Sequence, residues 1–162
     1  MLRAPLAVLL ALALAPAPVA AAEPWTAVTP AVPWATVNVC DTARHPDTIG
    51  IRASMPGPRR SRLAMRFRVQ YREDGGAWVD VDAADSGWRD LGPGRGAAVE
   101  SGWSFTFAHS ANAVTLRGMV RFRTRRPGSA ARVSELPTTA GHKSSAGADP
   151  PGYSAATCTL GS

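Results

Sequence analysis

Arginine in two alternating rows is the main chemical resource of this chain. In residues 63–72, Arg66, Arg68 and Arg72 alternate with Phe67, Val69 and Tyr71. In residues 113–125, Arg121, Arg123 and Arg125 alternate with Val120, Phe122 and Thr124. A guanidinium offers a planar fork of donors to phosphate or carboxylate and keeps its charge at any physiological pH, so a row of them suits anion binding. The alternative is a solvated face that satisfies itself. Trp78, Asp80 and Asp82 follow the first row within one hairpin and are ready partners for it.

Groups for bond-making chemistry are scarce. The polar segment 136–153 carries His142 and Asp149, which as a pair would orient a base or hold a cation, although a histidine in a glycine-rich turn is more commonly just solvated. Asp80 and Asp82 share one strand face beside arginines, an arrangement that favours salt bridges over acid-base work on a glycosidic bond. Ser104 sits between Trp103 and Phe105 in an alternating run, not in a glycine-flanked elbow. His45, His109 and His142 lack zinc-type spacing, and Gly92-Pro93-Gly94-Arg95-Gly96 lacks the Lys and Ser or Thr of a phosphate loop. No metal, no cofactor and no enzymatic activity are expected, a hydrolase built on His142 and Asp149 being the weakest alternative. Cys40 and Cys158 are the two cysteines, and their one intramolecular pairing is expected as a disulfide.

The elements that carry these groups follow from composition and periodicity. Arg3, an apolar run over 6–14 and a small-residue ending at Ala22 have the form of a secretory signal peptide. That apolar run is shorter than the roughly 20 residues needed to span a bilayer. Residues 1–22 are therefore expected to be cleaved, 23–34 to form a proline-rich extended arm containing Trp25, and 35–162 to form one secreted domain without a transmembrane anchor. Charge is modest: 18 Lys and Arg stand against 12 Asp and Glu in 162 residues, and Lys143 is the one lysine. A GC-rich genome would also produce such arginine usage.

Short alternating runs bounded by Gly, Pro, Asp and Asn occupy 35–41, 48–54, 63–72, 77–82, 101–108, 113–125 and 154–160, with weaker ones at 87–91 and 131–136. No window holds a helical period over three turns, so an all-β fold of about 7–9 strands, a β-sandwich or a barrel, is predicted. Strand side chains alternate with period two, which puts Met65, Phe67, Val69 and Tyr71 in the core and the arginines outside. If Val79 and Val81 share that buried face, the loop is 74–76 with Gly76 left-handed, Trp78 meets Arg72 and Asp82 meets Arg68. Trp103 falls on the same apolar side as Phe105 and Phe107.

The stretch Met65-Arg66-Phe67-Arg68-Val69-Gln70-Tyr71-Arg72-Glu73-Asp74-Gly75-Gly76-Ala77-Trp78 resembles the third strand and following hairpin of a fibronectin type III or related immunoglobulin-like domain. Met119-Val120-Arg121-Phe122-Arg123-Thr124-Arg125 resembles its sixth strand. The chain departs from the family in having Leu116–Met119 where a core tyrosine is usual, and in the long loop 137–153. The resemblance implies an immunoglobulin-like, antiparallel β-sandwich in which the two strands are neighbours, so that Arg66, Arg68, Arg72, Arg121, Arg123 and Arg125 form one basic panel. The expected role is a secreted, non-enzymatic binding module for an anionic cell-envelope polymer or another extracytoplasmic protein, without sequence-specific nucleic-acid recognition. The alternatives are a structural envelope protein and a carbohydrate-binding module resting on Trp78 and Trp88.

Overall fold

Alternation of β-branched and aromatic residues with polar ones yields strands throughout the computed structural model, which describes residues 31–73 and 75–161. Those residues contain no helix and nine strands: β1 (Trp34–Thr42), β2 (His45–Met55), β3 (Arg62–Arg72), β4 (Val79–Asp85), β5 (Arg89–Pro93), β6 (Val99–Thr106), β7 (Val114–Arg125), β8 (Arg132–Pro137) and β9 (Cys158–Leu160). One antiparallel sheet has the order β1-β2-β6. The other has the order β4-β3-β7-β8, with β5 also on β3 and β9 also on β7. The expected leader and Trp25 lie outside the described residues. Trp34, assigned by sequence to the arm, opens β1.

The core lies between the sheets. Val37, Ile49 and Ile51 from one sheet meet Met65, Phe67, Val69, Val120 and Phe122 from the other, all nearly free of solvent. Full burial of each such side chain contributes roughly 1.5–3 kcal/mol of hydrophobic stabilisation. The alternation in β3 is realised as expected, with Tyr71 partly buried at the edge of the cluster. Gly118 on β7 lets the sheets approach closely, since a Cβ there would lie 2.7 Å from both Ile51 Cδ1 and Thr138 Cγ2.

Cys40 and Cys158 form a disulfide with Cα atoms 5.4 Å apart. It joins β1 of one sheet to β9 of the other, closing a sequence separation of 118 residues. In the loop-entropy account such a closure stabilises by about 4–5 kcal/mol. A disulfide suits an oxidising compartment. No helix among the described residues is long and apolar enough to cross a membrane.

The long segment after β8 covers the free edge of β1. Thr139 N–H donates to Ala35 O at 2.8 Å, Val37 and Ala155 exchange two backbone bonds of 2.9 and 3.0 Å, and Asp149 N–H donates to Asn38 O at 2.9 Å. Two buried polar side chains of β1 are satisfied there as well: Thr36 Oγ1 meets Ser154 Oγ at 2.7 Å and Asn38 Nδ2 donates to Ala146 O at 3.1 Å. Covering the edge removes unpaired backbone groups that would otherwise recruit another strand.

Four local expectations need correction. The β3–β4 pairing starts in the expected register, Tyr71 opposite Val79 and Gln70 opposite Asp80, but an irregularity then sets Arg68 opposite Asp85 instead of Asp82. In the preceding turn Gly75, not Gly76, takes positive φ (75°), while Gly76 N–H donates to Glu73 O at 2.8 Å. Val79 is 48% exposed because β4 is an edge strand. Trp103 pairs opposite fully buried Ile51, yet it is 37% exposed because β6 is likewise an edge.

Candidate functional site

β3 and β7 run side by side without a register break, from Arg62 opposite Arg125 to Arg72 opposite Thr115. Even-numbered residues of β3 and odd-numbered residues of β7 therefore share the outer face, and the two arginine rows lie next to each other. Arg66 stands directly opposite Arg121.

At the centre of this face the charges are matched. Arg66 Nε donates to both carboxylate oxygens of Asp85 at 2.8 and 3.0 Å, and its Nη2 adds a further close contact to Oδ2. Arg68 spans the sheet, with Nη1 donating to Asp80 Oδ2 at 3.0 Å and Nη2 to Glu135 Oε1 at 2.7 Å. Arg121 Nε lies 4.0 Å from the same Glu135 oxygen. The Arg66 hydrogen bond holds the Asp85 carboxyl below its ordinary value, outweighing the opposite effect of its partial burial. Arg66 and Arg68 are correspondingly raised, by their hydrogen bonds to Asp85 and Glu135 respectively.

Toward β9 the row is held by an aromatic ring and an amide. Arg72 and Arg117 lie 4.6 and 4.3 Å from the Trp78 ring centroid, and Arg117 Nε donates to Gln70 Oε1 at 2.8 Å. The Trp78–Arg72 contact is the cross-strand pair expected from sequence. Partial burial, followed by the nearby charge of Arg72, lowers the Arg117 pKa.

The opposite end is different. Arg62 opposes Arg125 and Ala64 opposes Arg123, while β5 sets Asp90 against Ala64. The small side chain of Ala64 leaves a depression between the guanidiniums, a groove of about 300 Å³ lined by Arg62, Arg123, Arg125, Asp90 and Ala131 among others. Arg123 stacks 4.3 Å over the Trp88 ring, which fixes its plane but leaves its charge uncompensated. Among the described residues, no carboxylate lies within 4 Å of Arg62, Arg123 or Arg125. Asp90 is the one acid lining the groove, and its Oδ1 accepts the Gly92 N–H at 2.7 Å. Three forked cations around a shallow groove can take a phosphate or carboxylate group by bidentate hydrogen bonding.

The panel named from sequence is thus divided. Arg66 and Arg68 are held by carboxylates, Arg121 approaches one, Arg72 lies on Trp78, and Arg123 and Arg125 line the groove. Arg62 and Arg117 complete the two rows and were missed. Both obey the parity of their rows, and extending the first strand by one residue would have included Arg62.

His142 and Asp149 are not brought into a pair. The His142 ring stacks on Trp34 with centroids 4.4 Å apart and an interplanar angle of 8°, and its Nε2 lies 3.3 Å from Thr139 Oγ1. Asp149 Oδ2 accepts the Thr42 hydroxyl at 2.6 Å. Both side chains help seat the long segment on β1. Among the described residues no group of three His, Cys, Asp or Glu side chains is placed to hold a metal ion. The glycine-rich stretch after β5 has its backbone donors engaged, Gly94 N–H with Ser61 O and Gly96 N–H with Gly57 O.

No protein-family model, curated protein or solved structure matches this chain.

Proposed function

We propose that this chain is a secreted, non-enzymatic binding module that holds an anionic envelope polymer in the groove of Arg62, Arg123 and Arg125. One observation carries the reading: these three guanidiniums line one groove without carboxylate partners among the described residues, while Arg66 and Arg68 at the centre of the same face are neutralised. A repeating anion would run over the groove and gain from each cation without needing sequence recognition. Secretion is supported by the leader-like residues 1–22 and by the disulfide.

The finer reading of the fold is an immunoglobulin-like, fibronectin III-like sandwich. The order β1-β2-β6 against β4-β3-β7-β8 supports it, since it matches strands A, B and E against C′, C, F and G of that architecture. In those terms the groove lies at one end of the C and F strands.

Retention of the purified protein on immobilised poly(glycerol phosphate) and on neutral dextran, across a salt series, tests the function. Binding to the phosphate polymer alone is expected, with affinity falling steeply between about 50 and 200 mM salt. Replacing Arg62, Arg123 and Arg125 by alanine should weaken it at least about tenfold and flatten the salt slope by about 2–3 logarithmic units per decade of salt. Unchanged retention in the triple variant, or salt-independent binding to both supports, would overturn the proposal.

A further inference from the structure

The β7–β8 hairpin has a second concavity on its other side. Phe122 belongs to the core side of β7, and beneath it a cavity of about 380 Å³ opens between the sheets. Partly buried Pro33, Pro56 and Pro58 supply apolar, rigid walls over a floor of buried Met55 and Phe122. Arg126 and Arg132 also line it. Arg132 opposes Thr124, two residues before Arg126, so both cations belong to the hairpin end. Among the described residues neither has a carboxylate within 4 Å.

A preformed apolar cavity with a few polar groups to orient the guest is the usual form of a small-molecule site, for which about 300–1,000 Å³ is typical. Walls already fixed by proline lose little freedom on binding. Two unneutralised guanidiniums select a guest with an anionic head, and the apolar surface selects a tail. At about 30 Å³ of liquid volume for a group the size of water, the space holds about a dozen non-hydrogen atoms. We propose that this cavity binds a medium-chain carboxylate, its acyl tail along Pro33, Pro56 and Pro58 above the floor of Met55 and Phe122 and its head at Arg126 and Arg132. The site shares no arginine with the polymer groove and does not depend on that reading.

Calorimetric titration of the purified protein with decanoate, decanol and acetate tests it. Decanoate should bind saturably, one per chain. Decanol should bind at least about tenfold more weakly for want of a charge-assisted contact, and acetate should give no saturable heat. The double variant Arg126→Ala, Arg132→Ala should reduce decanoate to the affinity of decanol, whereas Ser134→Trp, which fills the cavity from β8, should abolish both. Because Arg126 and Arg132 are exposed, their replacement tests the head-group contact without touching the core. The absence of saturable decanoate binding, or undiminished affinity in the arginine variant, would overturn the proposal.

Discussion

At the centre of the sheet face Arg66 and Arg68 of β3 reach Asp85, Asp80 and Glu135, whereas at its end Arg62 of β3 and Arg125 of β7 reach no carboxylate among the described residues. The residue type, the two strands and the outward direction are the same in both places. What differs is what the flanking strands carry. Beside the centre run β4, with Asp80 and Asp85, and β8, with Glu135. Beside the end run β5, whose Asp90 is turned to a backbone N–H, and the start of β8, which sets Val133 and not an acid opposite Arg123. Alternation delivers cations to a face, but neutralisation needs an acid at the same height on the next strand. An anionic ligand at the centre would have to displace existing ion pairs, and at the end it would not.

The sharpest way to break this contrast is to give the end the acid it lacks. Ala131→Glu, on the exposed rim of the groove, should lower retention on poly(glycerol phosphate) about tenfold, a loss of about 1.4 kcal/mol. Its folding stability should stay within about 0.5 kcal/mol of the parent. Undiminished retention would mean that free charge is not what separates the two regions.

The converse substitution, Arg68→Ala, removes the side chain that ties β4 to β8 across the centre. Solvent screening keeps such partly exposed pairs modest, so a loss of about 1 kcal/mol is expected in urea unfolding. Retention should not change, and a drop as large as that of the groove variant would spread the site over the whole face.

The smallest effect is in the acid limb of stability. Asp85 has a depressed carboxyl pKa in the folded state, so the stability it contributes is present above its unfolded value near 4 and is lost as pH falls through the folded value. Urea unfolding of the parent and of Asp85→Asn should therefore show a constant gap from about pH 7 to 5 that closes below about pH 4. A gap that persists at low pH would remove the Arg66–Asp85 pair from the account of the centre.

Much of the scaffold was legible along the chain. The period-two pattern of Met65, Phe67 and Val69 identified the buried side of β3, the weak runs at 87–91 and 131–136 became β5 and β8, and the hairpin placed Trp78 against Arg72. The partner of Arg68 was not legible. An irregularity between β3 and β4 moves Asp82 out of line, and Glu135 arrives from 67 positions away in the chain. The polar segment containing His142 and Asp149 likewise invited a site by composition, yet its groups are taken up in sealing the edge of β1.

The sequence by itself determined the all-β character, the parity that turns arginines outward, and the cysteine pair, because these depend on local periodicity and on residue count. Only the tertiary structure decided which arginines remain free. Ion pairing falls off within a few ångströms, so it depends on which distant strand lies alongside and in what register. Residue order within a single strand does not contain that information.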